Sequence, residues 1–275
     1  MIHTLTRLVT VTAVLAGCCF TVAPQQAVAE EPLVWHDDYF TAYREAEQQH
    51  KQLFIFFRDE QDSEAADSYE LTVLTDETLQ KPLREMVLAV IPVDYSIHET
   101  QERLMDYEAF QHQQNRQGIA IVDLVESGSP LHSKVVSAHP FTRGRHLTAS
   151  STKTVLELPR GTITQRSLIY AARINPYKPA GAQGEATPDL LNFSHKHCGT
   201  MCSWNSMHHS SFGGMEIVAN NGESATIVDT AKSFIRMWQG SPPHWSILTG
   251  RHAKFGMDMK RAPSGHWYAT GVFTN

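Results

Sequence analysis

Cysteine is scarce in this chain of 275 residues: four are present, at positions 18, 19, 198 and 202, and none falls between 20 and 197. Without a thiol over that stretch, the first half of the chain has no disulfide exchange and no thiolate chemistry. A surplus of positive charge is missing too. Lysine and arginine number 23 against 29 aspartate and glutamate. Loss of residues 1–29, which hold Arg7 and no acid, would leave 22 basic against 29 acidic side chains and a formal charge of −7. That balance argues against a nucleic-acid partner, whose phosphates need a basic face. The third absence is a long apolar run. Leu8–Gly17 is well short of the roughly 20 residues that span a bilayer, and no later stretch is longer.

The short run follows Arg7 near the N-terminus and reads as a secretory signal. Two processing outcomes stand side by side. Leu15-Ala-Gly-Cys18 has the pattern of a lipoprotein signal with Cys18 as the lipidated residue, whereas Ala27-Val-Ala29 fits ordinary small-residue cleavage. Either way the expectation is an extracytoplasmic protein, periplasmic, secreted or lipid-anchored, with residues 1–29 read as signal peptide, or with cleavage before Cys18 in the lipid-anchored outcome. The remaining length suits two domains at about 100 to 200 residues each.

From Leu33 onward, helical and strand-like periodicities alternate. Ala42 and Ala46 mark an amphipathic helix that delivers into the apolar strand Leu53-Phe-Ile-Phe-Phe57. A helix candidate at Glu77–Leu83 precedes a strand at Leu88–Asp94, a polar helix is expected over Gln101–Gln114, and strands follow at Gly118–Asp123 and Lys134–Ser137. This alternation predicts an α/β fold around a mixed sheet. The run Trp35-His-Asp-Asp-Tyr39, the two alanines and Lys51-Gln-Leu-Phe-Ile-Phe-Phe57 resemble the secreted branch of the thioredoxin-like fold over residues 33–157. That resemblance implies Cys-x-x-Cys just after the first strand and a cis-proline facing it. Here Arg58-Asp-Glu-Gln-Asp-Ser-Glu64 stands in place of the cysteines, and no proline lies between Pro92 and Pro130, so the module is expected to be redox-dead. The acids Asp59, Asp62, Glu64 and Asp67 are hard donors that could suggest calcium, but their spacing matches no EF-hand and a solvated acidic loop is expected.

Leu158-Pro-Arg-Gly-Thr162 reads as the break between the modules, with Thr162 capping an amphipathic helix over Ile163–Ile174. A loop is expected over Tyr177–Thr187. Helices follow from Pro188 and over Thr226–Trp238, a proline-led turn from Gln239 enters a short helix, and Lys254–Met259 with His266–Phe273 form a terminal hairpin.

The order His209-Ser210, Met215-Glu216-Ile-Val-Ala219, Trp238-x-x-Ser241-Pro-Pro-His244 and Gly265-His-Trp-Tyr268-Ala-Thr270-Gly-Val-Phe273 resembles the CAP superfamily, the cysteine-rich secretory, antigen 5 and pathogenesis-related proteins. The match runs over 163–275 and implies an αβα sandwich following the thioredoxin-like one. It also implies a cleft built from His209, Glu216 and His244 that holds, in some members, a divalent metal such as zinc. Two departures stand out: the family's Gly-Glu-Asn is Met-Glu-Ile here, and no second glutamate supplies a fourth ligand. A hydrogen-bonded His/Glu cluster that stabilises the sandwich is the plain alternative.

Cys198 and Cys202 have two readings. On a helix, four-residue spacing places α-carbons roughly 6 Å apart, inside the disulfide window, and an oxidising compartment favours pairing; two small buried thiols are the other reading. His195-x-His197-Cys198-x-x-x-Cys202 invites a zinc-knuckle alternative, although its spacing fits no common finger. Ser241 before His244 lacks the surroundings of a nucleophile elbow, and Trp204 and Trp245 are expected to cover the core. The expected function is binding of a protein, peptide or small ligand outside the cytoplasm rather than catalysis. The competing class is a metal-dependent hydrolase with Glu216 as candidate general base.

Overall fold

Strand β1 (Trp35–His36) leads through the Asp38 N-cap, whose carboxylate accepts from the Thr41 N–H, into α1 (Tyr39–Gln48). β2 (Leu53–Arg58) follows, then α2 (Ser63–Tyr69), which runs on into a π-helical turn over Glu70–Leu74. Next come α3 (Glu77–Arg84), β3 (Val87–Pro92), two 3-10 turns (Leu104–Asp106 and Glu108–Gln113), β4 (Gly118–Asp123) and β5 (Lys134–Pro140). These strands form one sheet in the order β1-β3-β2-β4-β5, with β1, β3 and β2 parallel and β4 and β5 antiparallel to their neighbours. The coordinates are a computed structural model that describes residues 32–98, 100–142, 145–222 and 224–275, so the expected signal segment, with Cys18 and Ala29, lies outside the described residues.

After α4 (Ala149–Leu156), α5 (Ile163–Arg173) begins at a capping box in which Thr162 and Gln165 exchange side-chain and backbone hydrogen bonds. A 3-10 turn (Ala180–Gln183) and β6 (Glu185–Ala186) occupy the expected loop. α6 (Pro188–Trp204) ends where Asn205 turns left-handed at φ 49°, a conformation asparagine tolerates better than most residues. β7 (Met215–Asn221), α7 (Ile227–Gln239), α8 (Pro242–Thr249) and the hairpin β8 (Lys254–Arg261) and β9 (Trp267–Thr274) complete the chain. The second sheet has the order β6-β8-β9-β7. The chain is thus an α/β protein with two mixed sheets.

Strand alternation explains how the sheets meet, since successive side chains point to opposite faces. On β2, Leu53, Ile55 and Phe57 pack with Ala42 and Ala46 of α1. Phe54 and Phe56 face the other way, into a core continuous with Phe234 and Trp238 of α7 and with Phe255 and Phe273 of the second sheet. Residues 33–275 accordingly cluster as one compact unit. The Arg166 guanidinium on α5, 1% exposed, fastens this junction. It donates to Ser137 Oγ on β5 and to the carbonyls of Val155, Leu158 and Pro159 at the end of α4. Burial lowers its pKa to about 10, so it stays charged at neutral pH and is satisfied by dipoles.

On the outer face of the second sheet, α6 lies so close to β8 that a Cβ on Gly256 would stand 2.1 Å from the Leu190 carbonyl carbon. Only glycine permits that approach, and it brings Ser194 Oγ within 3.0 Å of the Gly256 carbonyl. Two expectations are corrected here. The polar helix over 101–114 is instead two 3-10 turns, because Tyr107 between them is extended at φ −71°, ψ 140° and breaks the helical ladder. The acidic stretch after β2 is not simply solvated: Arg58 forms ion pairs with Glu60, Asp67 and Glu70 at 2.9, 2.7 and 2.9 Å.

Candidate functional site

Glu216 is the second residue of β7, an edge strand of the second sheet. Its side chain is only 6% exposed beneath the segment 205–214 that joins α6 to β7. Burying a carboxylate there requires donors, and the local sequence supplies them. Oε2 accepts from His209 Nδ1 at 2.9 Å and from the Ser210 N–H at 2.8 Å, while Oε1 accepts from Ser210 Oγ at 2.6 Å. His197 on α6 closes the other side, donating from Nε2 to the His208 carbonyl at 2.9 Å and standing 3.6 Å from Glu216 Oε1.

An ionised carboxylate only accepts, so the proton of a neutral His209 sits on Nδ1 and its Nε2 keeps a free lone pair. The His209 side chain is 57% exposed. His244 comes from α8, where Pro242 and Pro243 start the helix after Ser241, and its ring centroid is 6.2 Å from that of His209. Burial, with the His209 imidazole adding to it, holds His244 below the usual histidine pKa. His244 therefore stays neutral, with a nitrogen lone pair, at a pH where an exposed histidine would already be protonated. His208 is set apart from the pair: Trp204 stacks on it at 4.8 Å, and its Nδ1 donates to the Ser206 carbonyl.

The structure thus brings His209, Glu216 and His244 into one neighbourhood, but not in equivalent roles. Glu216 stands behind His209, its oxygens already engaged by three hydrogen bonds. Among the described residues no group of three or more His, Cys, Asp or Glu side chains is arranged to hold an ion. His197 and Ser210, which complete the cluster, were not legible as site residues. In the sequence, His197 reads only as a zinc-knuckle candidate and Ser210 only as the second residue of the His-Ser motif, neither as a group around Glu216.

A second carboxylate–histidine pair lies on the same sheet. Asp258 of β8, fully buried, accepts from His195 Nδ1 at 2.8 Å, from Thr164 Oγ1 at 2.6 Å and from the Met259 N–H at 2.8 Å. The zinc-knuckle alternative comes apart on this contact, because His195 goes to Asp258 while His197 goes to the His208 carbonyl. Cys198 and Cys202 are free thiols that donate to the carbonyls of Asp258 and Lys260 on β8. Of the two readings of these cysteines, the arrangement is that of small thiols packed on a helix, and no disulfide joins them. Burial pushes both thiols up from the ordinary cysteine pKa, which favours their protonated form. Trp245 packs partly against the core, but Trp204 is 67% exposed and does not cover it.

Among the described residues no helix is long and apolar enough to cross a membrane. No protein-family model matches the chain, and no curated protein matches it. Among solved structures, an outer surface protein from Borrelia burgdorferi is 14% identical with a TM-score of 0.27, over 34% of this chain and 78% of that one. A likeness of that size carries no argument about function.

Proposed function

We propose that the chain is an extracytoplasmic binding protein in which a thioredoxin-like module without thiols (33–157) precedes a CAP-like module (163–275), and that the His209/His244 face takes the ligand. Supporting the first module is a sheet in the order β1-β3-β2-β4-β5 in which β4 runs against the other four strands. Supporting the second is the Trp238-x-x-Ser241-Pro-Pro-His244 run, which puts Trp238 at 0% exposure in the core while delivering His244 beside His209.

One observation carries the site: the 2.9 Å hydrogen bond from His209 Nδ1 to buried Glu216. It fixes the imidazole and leaves Nε2 as an acceptor next to a second neutral imidazole. A carboxylate behind a histidine is the usual support of a metal-ligating imidazole. The two rings fit a divalent ion such as zinc as two protein ligands, with the remaining positions left to water or to a bound partner. Zinc titration of the full chain by calorimetry tests this. Saturable binding lost in both His209→Ala and His244→Ala supports the shared site; binding unchanged in either variant refutes it.

A metal-dependent hydrolase is the second reading, and the same hydrogen bond favours it, since a carboxylate that orients a metal-ligating imidazole also supports a metal that would activate water. Glu216 would then orient His209 instead of serving as the base. Turnover of a peptide, ester or glycan that Glu216→Gln abolishes with folding intact would favour that reading. Absence of turnover across such substrates would leave binding.

A further inference from the structure

A large cleft opens elsewhere, where the first sheet meets α7. It has a volume of about 640 Å³. Its walls come from four separate segments: Asp59 and Asp62 just beyond the carboxyl end of β2, Arg116 and Gln117 before β4, Arg145 after β5, and Asp229 in the first turn of α7. The region beyond the carboxyl ends of parallel strands is where open α/β sheets generally take ligands, and crevices between packed units are favoured for the same purpose. A hydrogen bond from the Gln114 side-chain amide to the Ala225 carbonyl holds the two walls together.

Its polar groups are of two kinds. Gln117, 5% exposed, donates from Nε2 to the Asp62 carbonyl and, at 2.9 Å, to Asp62 Oδ2. Its Oε1 is buried with no hydrogen-bond partner. An orphaned amide oxygen is costly, and the group that would satisfy it is a donor. Asp59 and Asp62 also line the cleft, and Arg58, the nearest cation in sequence, is taken up by Glu60, Asp67 and Glu70. Arg116 and Arg145, which also line the cleft, have no ion pair among the described residues, and both are exposed. A free guanidinium fork suits a carboxylate. The acids Asp59, Asp62 and Asp229 and the guanidinium groups of Arg116 and Arg145 thus line one cleft, a combination that suits a molecule carrying both an ammonium and a carboxylate.

We propose that this cleft binds a small zwitterion, a free amino acid or short peptide, with its ammonium against Asp59 and Asp62, the latter held by Gln117, and its carboxylate against Arg116 and Arg145. The site is separate from the His209/His244 face and does not depend on it.

The test is calorimetry of the full chain with three probes, L-alanine, Ala-Ala and Ala-Ala-Ala, and with the N-acetylated and C-amidated forms of whichever binds. Saturable binding by at least one free probe is expected, weakened at least tenfold by blocking either end. Arg145→Gln should weaken the free probe at least tenfold while leaving the amidated form unchanged. Asp62→Asn should weaken the free probe as much while leaving the acetylated form unchanged. Far-UV circular dichroism and the unfolding midpoint establish that each variant is folded. Asp59→Asn, beyond the same end of β2 and with the same expected result, serves if Asp62→Asn does not fold. No binding by any of the three free probes overturns the proposal, as does equal binding of blocked and free forms.

Discussion

The second sheet carries two carboxylate–histidine pairs built almost identically. In each, a buried acid accepts from an imidazole Nδ1 at 2.8–2.9 Å, from a hydroxyl at 2.6 Å and from a backbone N–H at 2.8 Å. In each the histidine is the more exposed partner, 40% for His195 and 57% for His209. What differs is the company. His209 has a second imidazole, His244, brought to it by α8, whereas His195 stands over buried Cys198 and the hydroxyl of Thr164, both tied to Asp258. A fixed imidazole is therefore not a site in itself. It becomes one when a distant segment supplies a second ligating or reacting group.

The two pairs should differ most in stability. Asp258 is fully buried and joins α5, α6 and β8, so Asp258→Ala leaves a hydroxyl, an N–H and an imidazole without their acceptor. We expect a loss of about 3–5 kcal/mol in denaturant unfolding. Glu216→Ala, at a sheet edge beneath an irregular segment, should cost less; an equal or greater cost would erase the distinction between the pairs.

A third imidazole sharpens the contrast because it has no carboxylate. His139 on β5 is buried against Tyr170, and burial, followed by the charges of Arg166 and Lys232, lowers its pKa to about 3. Its folded-state pKa lies below the ordinary value of 6.5, so the unfolded chain binds a proton that the folded chain refuses. Its contribution to stability is complete above pH 6.5 and is lost as pH falls from there toward about 3, by roughly 1.4 kcal/mol for each pH unit well inside that window. Unfolding free energies against pH should show this limb in the wild type and a flatter one in His139→Gln. Parallel curves would assign the acid limb to other groups.

Smaller effects separate the two pairs by what they do. His195→Ala should cost about 1–3 kcal/mol by leaving one oxygen of buried Asp258 without its donor, with zinc affinity unchanged. His209→Ala should change stability by less than about 1 kcal/mol, because Ser210 still donates twice to Glu216, yet reduce zinc affinity at least tenfold. Denaturant unfolding and calorimetry on the same preparations check both, and a reversed pattern would exchange the roles of the two pairs.

Much of the local structure was legible from residue patterns. The helix cap at Thr162, the alternation of Leu53–Phe57, the proline-led start of α8 and the terminal hairpin follow from near-neighbour chemistry that a short window contains. The segment 101–114 was not, because polar composition does not reveal that Tyr107 is extended, with Leu104, Met105 and Phe110 each turned into the core. Arg58 drawing in three acids was invisible for a related reason, since Asp67 and Glu70 reach it only once α2 has formed. The pairing of His195 with Asp258 joins residues 63 apart, a separation no local pattern encodes.

Sequence alone determined the absence of thiol chemistry from the first half, the alternation that makes this an α/β chain, and the presence of His209, Glu216 and His244 in order. Each is a property of residue type or spacing. Tertiary structure decided which acid serves which imidazole, that Glu216 stands behind His209 with its oxygens occupied, and that a cleft opens between the first sheet and α7. These outcomes depend on burial, and burial makes an unpaired carboxylate so costly that the donors nearest in the folded chain take it, wherever they lie along the sequence.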